Sequence, residues 1–159
     1  MTEEIIDKVL KLKVKDVMSE KVVTIEEDTT VSEAAKIMSE NKIGCLIISK
    51  DKKVVGIVTE RDLVRRVLAE KLDPEKTNVG QVMSKPVIVI KDTVTIEDAV
   101  AVMAKNGVRR LPVINEEYVL VGIVTATDLA KALAAEYKMR NLLVNALARV
   151  SRPPPEIYG

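Results

Sequence analysis

Two short stretches of this chain occur twice. Val17-Met18-Ser19 returns as Val82-Met83-Ser84, and Gly56-Ile57-Val58-Thr59 returns as Gly122-Ile123-Val124-Thr125. The copies lie 65 residues apart at the first motif and 66 apart at the second. Between the motifs Ile25 matches Ile90, Thr30 matches Thr95, Ala34 matches Ala99, Met38 matches Met103, Asn41 matches Asn106 and Leu46 matches Leu111. Beyond them Asp62-Leu63 matches Asp128-Leu129. A duplication constrains architecture before any local reading, because the second copy must fold as the first does. A unit this long, present only twice, is not a thin solenoid. It predicts two small mixed α/β units packed about a pseudo-twofold axis, with paired clefts between them.

The composition narrows the function classes. The chain is 47% hydrophobic and 31% charged, a globular profile, and its net charge of +1 provides no field for nucleic acid or an anionic membrane. With no histidine and one cysteine, Cys45, no Ser/His or Cys/His pair, zinc cluster or intramolecular disulfide can be assembled. No GxxxxGK[ST] or GxGxxG loop is present. An enzyme is therefore not expected, and no metal site is. Residues 1–12 alternate acids, aliphatics and lysines, unlike a secretory or transit peptide, and no apolar run reaches membrane-span length. The expected setting is a reducing cytoplasm.

Periodicity predicts the elements. Ile5, Ile6, Val9 and Leu10 share a helical face within 2–10. In the first copy a strand is expected over 22–25. A helix follows to Asn41, with Thr30 as N-cap and Glu33 completing a capping box. A doubly covered strand is expected over 44–49, a return strand over 54–58, and a helix from Thr59 to about Leu72. Asp73-Pro74 breaks that helix. The second copy repeats the order: strand 87–90, helix 96–106, strands 111–114 and 119–124, and a helix from Thr127. The last helix is expected to run on, with Leu129, Leu133, Tyr137, Leu143, Leu147 and Val150 in rough helical spacing, until Pro153–Pro155 stop it. The domain plan is thus an N-terminal helix (1–12), one repeat (13–72), a linker (73–79), a second repeat (80–135) and a helical, proline-ended extension (136–159). The extension is expected to pack between subunits.

The order strand, helix, strand, strand, helix, with G-I-V-T-x-x-D joining the last strand to its helix, resembles the CBS domain. Two in-register copies resemble a CBS pair, or Bateman module, across about residues 13–135. The resemblance implies an α/β (α+β) fold of two β-α-β-β-α repeats and, with no catalytic domain attached, a stand-alone regulatory module. It further implies reversible binding of an adenosine-containing ligand (AMP, ADP, ATP or S-adenosylmethionine) in clefts between the repeats, with no obligatory cofactor. Homodimerisation and an unidentified protein partner are implied as well.

Each G-I-V-T-x-x-D motif has two readings. Thr59 with Asp62, and Thr125 with Asp128, suit the N-cap and third position of a helix, and capping alone accounts for them. The resemblance adds that the aspartate accepts hydrogen bonds from the ribose diol, whose two donors suit a carboxylate. Carried over by position, the favoured cleft comprises Val23, Thr24, Ile43, Gly44 and Cys45 with Arg110, Thr125, Thr127 and Asp128. The other comprises Ile88, Val89, Val108 and Arg109 with Thr59, Arg61 and Asp62. The first is favoured because Arg110 offers a phosphate a cation where the other copy has the neutral Cys45. Arg109 and Arg110 are adjacent in a strand and so point to opposite faces. Arg65 and Arg66 read as a solvated helix face. Two further classes stand beside the sensor: an interaction scaffold with empty clefts, and a nucleic-acid module, which the scarcity of aromatic platforms disfavours.

Overall fold

The computed structural model describes residues 2–137. Their elements run α1 (Thr2–Leu10), a 3-10 turn (Val14–Asp16), β1 (Thr24–Glu26), α2 (Val31–Asn41), β2 (Cys45–Lys50), β3 (Lys53–Thr59) and α3 (Glu60–Leu63). There follow a π turn (Val64–Leu68), α4 (Val79–Val82), β4 (Ile90–Lys91), α5 (Ile96–Asn106), β5 (Arg110–Ile114), β6 (Leu120–Thr125) and α6 (Ala126–Tyr137). The extension expected over 136–159 lies outside the described residues beyond Tyr137.

The strands form two three-stranded sheets, β1-β2-β3 and β4-β5-β6. In each, the first pair is parallel and the second antiparallel. The bulges match too, at Ile48/Ser49 and Val113/Ile114. The copies part at the hairpins. β2 and β3 are joined by Asp51-Lys52 alone, both with positive φ, the conformation of a tight type I′ turn. β5 and β6 are joined by residues 115–119, in which Asn115 Oδ1 accepts the N–H groups of Glu117 and Val119, and the path from Leu111 to Gly122 is one residue longer than that from Leu46 to Gly56. That residue accounts for the change in spacing from 65 to 66.

Helices α2 and α5 follow their sequence pattern. Each begins on a threonine whose hydroxyl accepts an N–H from the third helical residue, Glu33 or Asp98. Each buries three residues at helical spacing: Val31, Ala34 and Met38, or Ile96, Ala99 and Met103. Among the described residues the expected return bond from the Glu33 side chain is not formed. Both helices end on a left-handed residue, Gly107 in one copy and Lys42 in the other. In β2, Leu46 and Ile48 join a core with Ile25, Val31, Ala34, Met38, Val58, Val67, Val79 and Val82. Ile47 and Pro112, which alternate to the opposite face of their sheets, are fully buried as well.

Three expectations need correction. The first strand of each copy is short and shifted, at Thr24–Glu26 and Ile90–Lys91 rather than 22–25 and 87–90. The helix expected to run from Thr59 to Leu72 keeps α-geometry only to Leu63. There it widens: Ala69 N–H donates to Val64 O and Leu72 N–H to Val67 O, both five residues back. The widened turn buries Val67 and leaves Val64 and Leu68 exposed, as is Leu72 beyond it. Side-chain spacing alone does not distinguish such a turn from an α-helix.

The compact units are not the sequence copies. One, the continuous unit, is Val22–Ile88; the other, the split unit, combines Met1–Lys21 with the chain from Val89 onward. The segment leading into each copy is therefore folded into the unit of the other copy. In the split unit, Val14 N–H donates to Val94 O, Lys15 N–H to Asp92 O, and Ile96 N–H to Leu12 O. Ser19 and Ile123 exchange two backbone hydrogen bonds of 2.9 Å. The continuous unit repeats this with Val79 to Thr29, Gly80 to Glu27, Val31 to Thr77, and a reciprocal pair between Ser84 and Ile57. Val14 and Val79 are fully buried. Thus Val17-Met18-Ser19 lies along Gly122-Ile123, and Val82-Met83-Ser84 along Gly56-Ile57. The glycines permit this approach: a Cβ at Gly122 would lie 2.6 Å from Ser19 O, and one at Gly56 would strike Met83 Sδ. In the split unit α1 also packs on α6 and α5, with Lys8 Nζ 3.2 Å from Glu136 Oε2.

Candidate functional site at the G-I-V-T-x-x-D turns

In the split unit, β6 ends at Thr125 and α6 begins at Ala126. Thr125 N–H and Oγ1–H donate to Asp128 Oδ2 at 2.9 and 3.0 Å, and Asp128 N–H donates to Thr125 Oγ1 at 3.2 Å. This is a reciprocal cap built on one carboxylate oxygen. Among the described residues Asp128 Oδ1 accepts no hydrogen bond. Thr127, beside it, is exposed. Arg110 pairs across the sheet with Thr125, and Arg109 O accepts the N–H of Ala126. The cation and the carboxylate therefore stand at one end of one sheet, on a helix start that itself favours negative charge. Arg109 and Arg110 are both exposed, and Val108 and Val89 are half-buried.

The continuous unit repeats the cap with one difference. Thr59 N–H and Oγ1–H donate to Asp62 Oδ2 at 2.9 and 3.1 Å, and Asp62 N–H donates to Thr59 Oγ1 at 3.2 Å. Here the second oxygen is occupied. Ser84 Oγ lies 3.4 Å from Asp62 Oδ1 and Arg66 Nη2 lies 3.8 Å from it. The Arg66 guanidinium is held by Nη1, which donates to Val82 O and Met83 O at 2.9 and 3.0 Å. Asp62 is 9% exposed, the only acidic residue buried among the described residues. Arg65 and Arg66 are both exposed, as a solvated face requires, yet the Arg66 guanidinium, with its side chain 47% exposed, is also tethered by its Nη1 bonds.

Of the remaining expected residues, Val23, Thr24, Gly44 and Cys45 fall at the same end of the β1-β2-β3 sheet as Thr59. Cys45 pairs across from Thr59, Gly44 O accepts Glu60 N–H, and Thr24 pairs with Ile47, whose N–H donates to Val23 O. Ile43 is half-buried and Arg61 is exposed. Each expected cleft draws residues from both compact units. Within its own unit each turn gathers the threonine, the aspartate and the start of the middle strand. Ser84 and Arg66 were not among the expected site residues. Their signal was available in the alignment of the two copies, because Ser84 belongs to a repeated motif and Arg66 stands where the second copy has Ala132.

Residues 14–69 and 79–135 match the family model of the CBS domain. The chain belongs to the CBS-domain family. An uncharacterised 17.7 kDa protein of Acidianus ambivalens is 36% identical over 129 residues, which cover 80% of this chain and 77% of that protein. A crystal structure of hypoxic response protein I with two coordinated zinc ions superposes with a TM-score of 0.67 at 36% identity, covering 76% of this chain and 98% of that one. A CBS domain pair crystallised with 5′-methylthioadenosine and S-adenosyl-L-methionine superposes with a TM-score of 0.69 at 28% identity, covering 79% and 98%. The zinc ions belong to that relative: among the described residues of this CBS pair no three His, Cys, Asp or Glu side chains gather as metal ligands. Among the described residues no helix is long and apolar enough to cross a membrane.

Proposed function

We propose that this CBS pair is a regulatory, non-catalytic module that binds an adenosine-containing nucleotide reversibly, with the ribose diol on Asp128. The observation that carries this reading is the divided labour of the Asp128 carboxylate. Oδ2 holds the helix start and Oδ1 is open among the described residues, so the acid is fixed in place yet keeps acceptor capacity for a diol. Arg110, paired across from Thr125, supplies the cation for a phosphate or for the carboxylate of S-adenosylmethionine. Thr127 adds a hydroxyl beside it. Val23, Thr24, Ile43, Gly44 and Cys45 are proposed to complete the base-binding side, as the family resemblance implies. The second site proposed from that resemblance comprises Thr59, Arg61, Asp62, Ile88, Val89, Val108 and Arg109. The module is proposed to act in the cytoplasm as a homodimer and to pass its occupancy to a protein partner. The exposed Val64 and Leu68 on the π turn, and Leu72 beyond it, are apolar side chains available for self-association.

Calorimetric titration of nucleotide-stripped protein with AMP, ADP, ATP, S-adenosylmethionine and GMP tests this reading. Because Asp128 also caps α6, the informative variant is Asp128→Asn, which retains a capping acceptor and removes the charge. Saturable binding of one adenosine ligand, weakened in Asp128→Asn with the melting temperature held, is the expected result. Ligand at 100 times its dissociation constant then stabilises the protein by about 2.7 kcal/mol. Silence across the panel with no change in melting temperature favours the scaffold reading. Binding to a mixed-sequence oligonucleotide that falls steeply with salt favours the nucleic-acid reading.

A further inference from the structure

We infer that Arg66 silences one of the two aspartates, so that each chain carries a single working nucleotide site, at Asp128. The inference rests on the nucleotide reading above and goes beyond it by naming the residue that sets the number of sites. The two turns have the same sequence pattern, and their capping hydrogen bonds agree to within 0.1 Å. What differs is the carboxylate oxygen left over. A ribose diol donates to an acceptor that is reachable and not already engaged. Asp62 Oδ1 faces Ser84 Oγ at 3.4 Å and Arg66 Nη2 at 3.8 Å, and its side chain is 12% exposed.

Arg66 is well placed to stay there. Its Nη1 donates to two carbonyls, Val82 O and Met83 O, and this anchorage fixes the guanidinium plane beside Asp62. A diol reaching Asp62 Oδ1 meets a largely buried oxygen that already faces the Ser84 hydroxyl and lies 3.8 Å from the tethered Arg66 cation, whose own side chain is 47% exposed. In the split unit the counterpart of Arg66 is Ala132, which has neither length nor charge. The counterpart of Ser84 is Ser19, whose Oγ accepts the N–H of Lys21. Neither engages Asp128. The duplication has thus diverged at the fourth residue after each aspartate, and that divergence closes one acceptor and, among the described residues, leaves the other open.

Three substitutions test this in the full chain, with AMP as the calorimetric probe and the melting temperature as the control for folding. The expected pattern is one equivalent of AMP for the unmodified protein, none for Asp128→Asn, and two for Arg66→Ala. Ala132→Arg provides the reciprocal test, since it leaves the Val82 and Met83 carbonyls undisturbed, and it is expected to weaken AMP binding by about tenfold or more. Two equivalents in the unmodified protein overturn the inference. So does one equivalent retained in Arg66→Ala together with unchanged affinity in Ala132→Arg. Silence of every protein towards AMP instead removes the nucleotide reading and this inference with it, a result distinct from binding with unaltered stoichiometry.

Discussion

Adding one methyl group at Gly122 provides a stringent test of how the leading segments are held. The Cβ of Gly122→Ala would lie 2.6 Å from the backbone oxygen of Ser19 and 2.8 Å from Met18 Sδ. The methionine can turn aside, but the carbonyl cannot, because it accepts the N–H of Ile123 while Ser19 N–H donates to Ile123 O. Relieving the clash means opening that bridge. Two backbone hydrogen bonds are worth about 1 kcal/mol each net. Against this, the reduced freedom of the unfolded chain returns about 0.4–1 kcal/mol. Displacement of the Met18 side chain adds a packing cost of about 1 kcal/mol. The net expectation is a loss of about 2 kcal/mol, or a melting temperature lower by roughly 4–8 °C for a chain of this size. Gly56→Ala should cost less, since its Cβ meets chiefly the movable Met83 side chain and stands 3.2 Å from Ser84 O. Thermal unfolding followed by circular dichroism, with urea titration for the free energy, measures both. Met83→Ala should partly rescue Gly56→Ala, whereas Met18→Ala should not rescue Gly122→Ala. A Gly122→Ala protein as stable as the original, or one rescued by Met18→Ala, would refute the reasoning.

Other outcomes follow from the same geometry. Lys42 closes α2 with φ 53°, so Lys42→Gly should stabilise by up to about 1 kcal/mol in urea titrations, while Gly107→Ala, at φ 63° with open space around it, should cost about 1 kcal/mol. Lys50, 3.1 Å from Glu27, has its ammonium pKa raised above the usual 10.5 by the hydrogen bond and charge of that carboxylate. The folded-state pKa is the higher one, so the pair's contribution is present in full below pH 10.5 and is lost as pH rises through the raised value. Glu27→Gln should move the Lys50 titration to lower pH by NMR, and an unmoved titration would disprove the coupling. A fragment of residues 22–88 should retain more helical ellipticity and a sharper melt than residues 22–72, because the shorter chain lacks Val79, Val82 and Met83 of the core. Equal behaviour of the two fragments would contradict the exchange of leading segments.

Much of each copy could be read from the residues alone. Thr30 and Thr95 announced their helices, and the apolar run at Gly44–Ser49 announced a strand buried on both faces. What the residues could not show is which copy of a repeated motif meets which. Met18 and Met83 sit in matching contexts, as do Gly56 and Gly122, so pairing within a copy and pairing across copies make the same local pattern. Long-range closure decides between them, and no periodicity records it. The site had a similar gap. Thr59-Asp62 and Thr125-Asp128 look alike as motifs, and the difference between an engaged and an open carboxylate comes from a side chain one helical turn on. Arg66 read as a surface cation because its acceptors, the carbonyls of Val82 and Met83, belong to the next copy's leading segment.

The exchange also separates the order of synthesis from the order of folding. Residues 22–88 contain the partners of their own leading segment, Thr77 to Ser84, so that unit can close once Ser84 has emerged to pair with Ile57. Residues 12–19, made earlier, have no place to dock until Asp92, Val94 and finally Ile123 appear. This segment, made before the unit that folds first, is therefore among the last to be seated, with Val14 and Met18 left exposed in the interval. Loop-closure entropy grows only slowly with length, so the delay costs little stability. It does lengthen the time during which an apolar segment can find the wrong partner. The duplicate motif at Gly56-Ile57 is one such partner until Ser84 claims it.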